Sequence, residues 1–276
     1  MILGENINSV YSKGKEIQRV FSYGKLVWEK EMIDYSTTAF TIQALDNASV
    51  MVQGSYQKPN VLNFKYSING GDWNQLDTKS TININKDDTI SIIGTDIYVI
   101  KITGLSDIYG NIMSLKFGDD FVGQTTLQDS MFINFSNSDI RKADKLILPA
   151  TTLGFECYSY MFDGCRSLIT APELPATTLA SYCYADMFRN CTSLTTAPEL
   201  PATTLSYRCY YGMFRGCSSL NYIKCYAYKT QSNTSFGECL SNWTTGVSSE
   251  GTFVCLKNYA DKLKPYIPST WTIEYI

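Results

Sequence analysis

Cysteine is the residue type whose number and spacing in this chain most suggest chemistry. Of nine cysteines, six recur as pairs separated by seven residues, beginning with Cys157 and Cys165. Zinc sites usually place their ligands two to four residues apart and often recruit histidine. The paired cysteines stand beside methionine, phenylalanine and leucine instead. We therefore interpret them as small buried hydrophobic residues, with disulfides and metal ligation as the alternatives.

Histidine, the most frequent general base of enzymes, is absent from the sequence. Its absence excludes Ser-His-Asp and Cys-His nucleophile systems and any zinc or iron site that contains histidine. Two carboxylates, Glu173 and Glu199, recur at one interval, and we expect them to be solvated rather than catalytic. The sequence predicts a protein that is not an enzyme and has no catalytic residues, metal site or cofactor.

A repeat of 26 residues organises the second half of the chain. Residues 148–173 match residues 174–199 at 17 of 26 positions, and residues 200–225 match the second copy at 14 of 26. One such copy cannot bury enough apolar surface to offset the conformational entropy of ordering it. Copies at a fixed period therefore predict a solenoid, in which neighbouring copies stack and share a core.

Six positions in each copy are constant and apolar, and they predict the core of the stack. From the leucine to the second cysteine the offsets are 4, 8, 9 and 12, the spacing of one helix face. We expect a helical turn or two over 154–164 and a strand-like edge over 168–174. In the first copy the six are Leu153, Cys157, Met161, Phe162, Cys165 and Leu168.

A constant tyrosine follows the first cysteine of each copy, as Tyr158, Tyr184 and Tyr210. Such a row could be an exposed stripe on which sugars stack. We favour the other interpretation, in which the rings pack on one another between copies and are partly buried.

Other positions differ between the copies while the apolar columns do not, as expected of an exposed face. Aromatic and arginine side chains at such positions are typical of binding interfaces, although drift on an unselected surface would also produce the variation. The candidate binding residues are Tyr160, Tyr182, Tyr207, Arg208, Tyr211 and Arg215.

The first thirty residues predict a meander of three short strands, at about 7–12, 16–22 and 25–29. A lone meander of this size is marginal in water, so residues 1–31 are expected to dock on a neighbouring domain or on a partner. The proposed anchor residues are Val10, Ile17, Val20, Phe21, Val27 and Trp28.

Residues 32–117 predict a small β-sandwich domain. The turn sequence Asn69-Gly70-Gly71 lies between apolar runs, which is typical of a hairpin. Alternating residues on either side of a turn at 86–88 predict a second hairpin, and residues 99–102 supply another strand.

Residues 118–276 would form the solenoid with its caps. A degraded copy over 125–148 is the expected N-terminal cap, and residues 226–276, which lose the period, are the expected C-terminal cap. The predicted fold class is mainly β with short helices (α+β).

Charge and hydropathy limit the classes of partner that the protein is expected to bind. The net charge of −3 and the lack of a basic stripe argue against nucleic acid. No stretch approaches the roughly 18 apolar residues of a membrane span, and the first ten residues lack the features of a secretory signal. We expect a protein that stays in the cytosol or leaves without a signal, as within a virus particle released by lysis.

The repeat, written L-P-A-T-T-L-x3-C-Y-x2-M-F-x2-C-x-S-L-x-T-A-P-E, resembles the BspA-like leucine-rich repeat of gut and oral anaerobic bacteria and their phages. The resemblance covers about 118–276, and residues 67–76 with 110–121 look like the β-domain that often precedes such arrays. It implies a leucine-rich-repeat solenoid that acts in adhesion without catalysis. The opening VYSKGKEIQRVFSYGKLVWEKE is similar instead to the start of bacteriophage structural proteins.

These resemblances favour a virion component of a tailed phage, such as a head-fibre, tail or decoration protein. Residues 1–31 would bind other virion proteins by β-augmentation, and the solenoid would bind a host cell-surface protein or glycan. A homo-oligomer is compatible with this role. The alternative is a BspA-like adhesin on the bacterial cell surface, and a glycan-active enzyme is a third hypothesis.

Overall fold

The protein is described here by a computed structural model, and its fold is mainly β with a few short helices. The predicted fold class is confirmed at that level. Among the described residues, none of the helices has the length and apolar character to cross a membrane. The structure describes residues 6–12, 15–22, 25–32, 34–54, 63–76, 80–95, 97–128 and 133–276. Before residue 33 it describes only the backbone pairing of the strands.

Three antiparallel strands form the N-terminal meander: β1 (Asn6–Ser12), β2 (Lys15–Ser22) and β3 (Lys25–Met32). Each strand pairs with the next along the chain. The predicted number and order of strands are confirmed, and β3 runs to Met32 rather than to residue 29. The side chains proposed as the anchor lie outside the described residues, so their docking role stays a prediction.

The next part of the chain forms two sheets that share a core. One has six strands in the order β13-β11-β4-β9-β6-β7, and the other has three in the order β10-β5-β8. Buried side chains of both sheets, such as Ile42 and Val50, belong to a single hydrophobic cluster. The elements are β4 (Phe40–Ala44), β5 (Ala48–Gly54), β6 (Asn63–Ile68), β7 (Asn74–Leu76), β8 (Ser80–Ile84), β9 (Thr89–Thr95), β10 (Ile97–Thr103), β11 (Ser106–Asn111), α1 (Ser114–Phe117) and β13 (Ile140–Ile147).

The first predicted hairpin is confirmed, because β6 and β7 pair antiparallel around a tight turn. Asn69 and Gly70 occupy that turn with φ of 52° and 69°. These are the left-handed values that asparagine and glycine tolerate best. The expected strand at residues 99–102 is also confirmed, as part of β10.

The second predicted hairpin is wrong. β8 pairs with β5 in one sheet, whereas β9 pairs with β4 and β6 in the other. Residues 86–88 therefore form a corner that carries the chain between sheets. The Asp88 carboxylate fixes this corner by accepting hydrogen bonds from the backbone of Asn85 and the side chain of Asn69. Alternation of buried and exposed residues is the same in a hairpin and at such a corner, so the pattern could not distinguish them.

The repeat copies stack in parallel. Short strands pair between copies on one side, and a parallel sheet in the order β16-β18-β19 closes the C-terminal end. The strand-like edge expected over 168–174 is reduced to a single bridge between Thr170 and Lys142 of β13. The elements are β12 (Thr126–Leu127), β14 (Thr152–Leu153), β15 (Thr204–Leu205), β16 (Tyr222–Cys225), β17 (Lys229–Thr230), α2 (Phe236–Cys239), β18 (Thr252–Cys255), α3 (Ala260–Leu263) and β19 (Thr272–Tyr275).

A column of buried aromatic rings joins the two halves of the molecule. Phe40 of β4 stacks on Phe135 with ring centroids 5.3 Å apart, and Phe135 stacks on Phe162 at 5.6 Å. The column continues through Phe188 and Phe214 at spacings of 5.5 and 5.9 Å and reaches Trp243 at 6.3 Å. The two sheets and the stacked copies therefore share one continuous core.

The helix predicted over 154–164 is wrong, because this segment is a run of turns. Glu156, Tyr158 and Tyr160 have φ of 56°, 64° and 57°, whereas a right-handed helix needs negative φ throughout. Alternate amides, such as that of Met161, bond to the carbonyl three residues back. The amides between them bond to the next copy, as Phe162 N–H does to the carbonyl of Met187 at 2.8 Å. Each copy is thus held to its neighbour by backbone hydrogen bonds along the turns.

Candidate functional site

The turns of the three copies place their side chains on two sides. Side chains of the constant columns point inward, and Cys157, Met161, Phe162 and Cys165 are fully buried. The variable columns contribute the exposed and half-buried side chains of the same turns, although three of their members, Ser159, Ala185 and Asp186, are buried. The candidate binding residues therefore lie on a surface that the backbone hydrogen bonds between copies hold in place.

Four of the six candidates form one group, which we call the aromatic–arginine cluster: Tyr182, Tyr207, Arg208 and Tyr211. The Arg208 guanidinium lies 5.7 Å from the ring centroid of Tyr182 and 5.2 Å from those of Tyr207 and Tyr211. It also donates a hydrogen bond of 3.4 Å to the Tyr182 hydroxyl. Each ring attracts the cation through its π-electrons, so the guanidinium is held in a fixed orientation.

A row of rings extends the cluster across three copies. Phe155 packs edge-to-face on Tyr182 with centroids 5.9 Å apart, and Tyr182 packs in the same way on Tyr207 at 5.6 Å. Phe155 is 50% exposed, and both tyrosines are half-buried. Sequence reasoning did not select Phe155 as a candidate, although it occupies the column of Tyr207. The large apolar side chain of Phe155 in a variable column was the sequence feature that could have identified it as a candidate.

The other two candidates, Tyr160 and Arg215, belong to a separate network of charges. Asp186 is only 1% exposed, and Arg215 donates to its carboxylate at 3.0 Å. Arg189 makes a bidentate pair with Asp163 and lies over the Tyr160 ring at 5.2 Å. The Arg215 guanidinium is therefore committed to an internal ion pair, whereas Tyr160 remains 41% exposed.

Burial of Asp186 was missed by sequence reasoning. Desolvation raises the pKa of this carboxyl, and the nearby Arg215 and Arg189 oppose the rise. Removal of these cations would leave a buried carboxylate without a counter-charge, which would strongly destabilise the folded protein. The Asp186 network is therefore a structural feature of the stack.

The constant tyrosines are inside the stack rather than on its surface. Tyr158 stacks on Tyr184 at 6.1 Å, and Tyr184 stacks on Tyr210 at 6.0 Å. The favoured ring-on-ring packing is confirmed, with burial complete rather than partial. The hydroxyls of Tyr158 and Tyr184 are buried without a hydrogen-bond partner in the described part of the chain. The alternative of a sugar-binding stripe is wrong for these residues because their rings do not reach the surface.

The repeat cysteines line the same interior, as the interpretation of buried thiols predicted. The second cysteine of each copy donates a weak hydrogen bond to a phenylalanine carbonyl of the preceding coil, as Cys191 does to Phe162 at 3.1 Å. Burial raises the pKa of Cys165 and of Cys217 to about 12. Such thiols remain protonated at neutral pH and are poor nucleophiles. All nine cysteines lie in the part of the chain that the structure describes, where they are buried and form no disulfide.

The two repeated carboxylates, Glu173 and Glu199, line one pocket at the edge of the stack. Glu199 is bound by Lys224 at 2.7 Å, and both glutamates are exposed at the edge of the stack. Across the described residues, no group of three or more cysteines, aspartates and glutamates is placed to hold a metal ion.

Comparison with known proteins returned no match for this chain, whether to a family model, to a curated protein or to a solved structure.

Proposed function

We propose that this chain is a non-catalytic attachment protein. Its stacked copies would form a leucine-rich-repeat solenoid, and its aromatic–arginine cluster would bind a host cell-surface protein or glycan. The observation that carries the proposal is the fixed position of Arg208 among three tyrosine rings on the exposed side of the stack. Arginine and tyrosine held rigidly lose little conformational entropy on binding and are typical of interface hot spots.

Several features support a solenoid. The copies are joined by parallel backbone hydrogen bonds, and equivalent phenylalanines stack on one another from copy to copy. In such an array each copy contacts its neighbours, so exposed columns can change while the interior stays constant. Most of the variable positions in the three copies follow this pattern. We propose that residues 32–117 precede the solenoid as a β-sandwich domain.

We further propose that the protein belongs to a phage virion, in which residues 1–31 bind other virion proteins. Three paired strands form that segment, and an exposed strand edge is a ready site for β-augmentation. The similarity of the N-terminal sequence to phage structural proteins motivates this location. A BspA-like adhesin on the bacterial surface is the alternative, motivated by the repeat itself.

The binding face is tested by replacing Arg208 with lysine. Lysine keeps the charge but lacks the planar guanidinium that lies against the tyrosine rings. We expect Arg208→Lys to weaken binding to host cells about tenfold, which corresponds to a loss of roughly 1.4 kcal/mol in binding free energy. The matched control is Arg166→Lys, an exposed arginine outside the cluster. Binding by Arg208→Lys that equals the control would contradict the proposal.

The location is tested by imaging intact particles with an antibody against the chain. Deletion of residues 1–31 is expected to abolish incorporation into particles while leaving the remaining chain folded. Unchanged incorporation of the deleted protein would remove the anchor hypothesis. Detection of the protein on bacterial cells that carry no phage would favour the adhesin instead.

A further inference from the structure

A separate pocket lies on the face of the six-stranded sheet opposite its buried isoleucines. It opens where β13, β11 and β4 run side by side, and it encloses about 230 Å³. Gln43 reaches this face because it alternates with buried Ile42 along β4. The side chains that matter for binding are Tyr35, Gln43, Tyr109, Lys142 and Lys145.

Two tyrosines form the apolar part of the pocket. Tyr35 and Tyr109 are half-buried and meet edge-to-face, with ring centroids 5.4 Å apart. The ammonium of Lys145 lies 5.7 Å from the centre of the Tyr35 ring. The Tyr109 hydroxyl is protonated at neutral pH and can donate, because its ordinary pKa is 10.0 and burial raises the pKa further. A tyrosine in such a position offers both an apolar surface and a polar group to one ligand.

Apart from its two carboxylates, the polar side chains of the pocket all carry a hydrogen-bond donor. Within the described residues, the Tyr35 and Tyr109 hydroxyls, the Gln43 amide and the Lys142 ammonium make no hydrogen bond or ion pair. Of the two carboxylates in the pocket, Asp107 is paired with a cation, whereas Asp144 accepts a hydrogen bond from a neutral hydroxyl and keeps its charge. Arg141 donates to Asp107 at 2.9 and 2.6 Å, and Thr170 donates to Asp144 at 3.0 Å.

We propose that this pocket binds one acidic sugar unit, a pyranose that carries a carboxylate. Its volume lies below the roughly 300 Å³ at which pockets for larger ligands begin, so it fits one unit rather than an extended chain. The tyrosine rings match the apolar face of a pyranose. Lys142 and Lys145 bring two positive charges against the single charge of Asp144, and this positive excess matches a carboxylate. The inference does not depend on the role proposed for the repeats, because it uses different residues on a different sheet.

The test compares sugars that differ only in the carboxylate. Methyl glucuronide and methyl galacturonide are titrated against the full chain beside methyl glucoside and methyl galactoside, and N-acetylneuraminate is included as a third acidic sugar. Binding is measured by saturation-transfer NMR. We expect at least one acidic sugar to bind. A uronide that binds should do so about tenfold more tightly than its neutral counterpart, because the neutral sugar lacks one charge-assisted hydrogen bond.

Two variants locate the site. Lys142→Met is expected to weaken the binding of the acidic sugar about tenfold and to leave the binding of neutral sugars unchanged. Tyr109→Phe is expected to weaken the binding of acidic and neutral sugars alike. Lys257→Met, at an exposed lysine elsewhere, is the matched control and should bind like the unmodified protein. Equal affinity for acidic and neutral sugars, binding of none of the three acidic sugars, or unchanged binding by Lys142→Met would each overturn the inference.

Discussion

At the scale of single residues, the exposed turns depend on an alternation of asparagine and glycine between copies. A Cβ added to Gly216 would lie 2.4 Å from the Asn190 side-chain oxygen, and one added to Gly164 would lie 2.3 Å from that of Asn137. Each asparagine amide therefore fills the space that a glycine of the adjacent coil leaves open. Both glycines also have positive φ, of 78° and 71°, which side chains other than those of asparagine and aspartate rarely adopt.

The variant Gly216→Ala tests this alternation. The left-handed backbone costs alanine about 1 kcal/mol or more, and the contact with Asn190 adds to it. We expect a loss of about 2–3 kcal/mol in the free energy of unfolding, measured by urea denaturation. Gly123→Ala is the control, because Gly123 has a φ of 83° but nothing within 4 Å of the added Cβ. Equal losses in the two variants would show that the contact with Asn190 has no effect.

The aromatic–arginine cluster was only partly predictable from the sequence. Variation between copies identified Tyr182, Tyr207 and Arg208 as exposed, and they are on the surface together. The same pattern grouped Arg215 with them, although Arg215 binds buried Asp186. Which arginine reaches which neighbour depends on the stagger between copies, and one-dimensional spacing does not contain that information.

At the scale of the elements, the turns show why the spacing of apolar residues predicted a helix. Residues four apart, such as Cys157 and Met161, share a face in a helix. They also share a face in this ribbon of turns, where every second amide bonds to the adjacent copy. The difference lies in the backbone angles of the residues between them. Glu156 and Tyr160, neither of which is glycine, gave no sign in the sequence of their positive φ.

The junction between the two sheets and the stacked copies rests on Phe135, which stacks on Phe40 and on Phe162. Phe135→Ala removes a fully buried ring from the centre of the column, and we expect a loss of about 3–5 kcal/mol in stability. Hydrogen exchange should become faster in β4 and in the turns of the first copy together, because both contact the lost ring.

The control for the junction is Phe155→Ala, which removes a ring that is 50% exposed. A loss below about 1 kcal/mol is expected there, because surface positions rarely cost more. Faster exchange confined to one side of Phe135 would mean that the sheets and the stacked copies unfold independently.

At the scale of the whole molecule, one core extends beyond the copies that the sequence reveals. The period is lost after residue 225, yet Trp243 continues the column of Phe214 and Phe253 packs edge-to-face on Trp243. Trp243 follows Phe214 by more than one repeat length, so a fixed period could not find it. Stacking requires an apolar ring at one place in space, and a longer outer turn can deliver that ring as well as a short one.

The shared core predicts how stability depends on alkaline pH. Burial raises the pKa of Cys165, Cys217 and Cys225 to about 12, against an ordinary value of 9.0. Between these values the unfolded chain binds fewer protons than the folded protein, so the free energy of unfolding must fall as pH rises. Each thiol contributes a slope of about 1.4 kcal/mol per pH unit in that window.

Urea denaturation under reducing conditions should therefore give constant stability near neutral pH and a steep loss above about pH 9, where the unfolded thiols ionise. Cys217→Ala removes one of these thiols, so the variant should lose stability less steeply with pH even though it starts from a lower value. The two effects are separable because a cavity lowers stability equally at every pH, whereas a buried thiol acts only where its unfolded form ionises. An unchanged slope in Cys217→Ala would mean that water reaches this thiol in the folded protein and that the column of copies is open at that point.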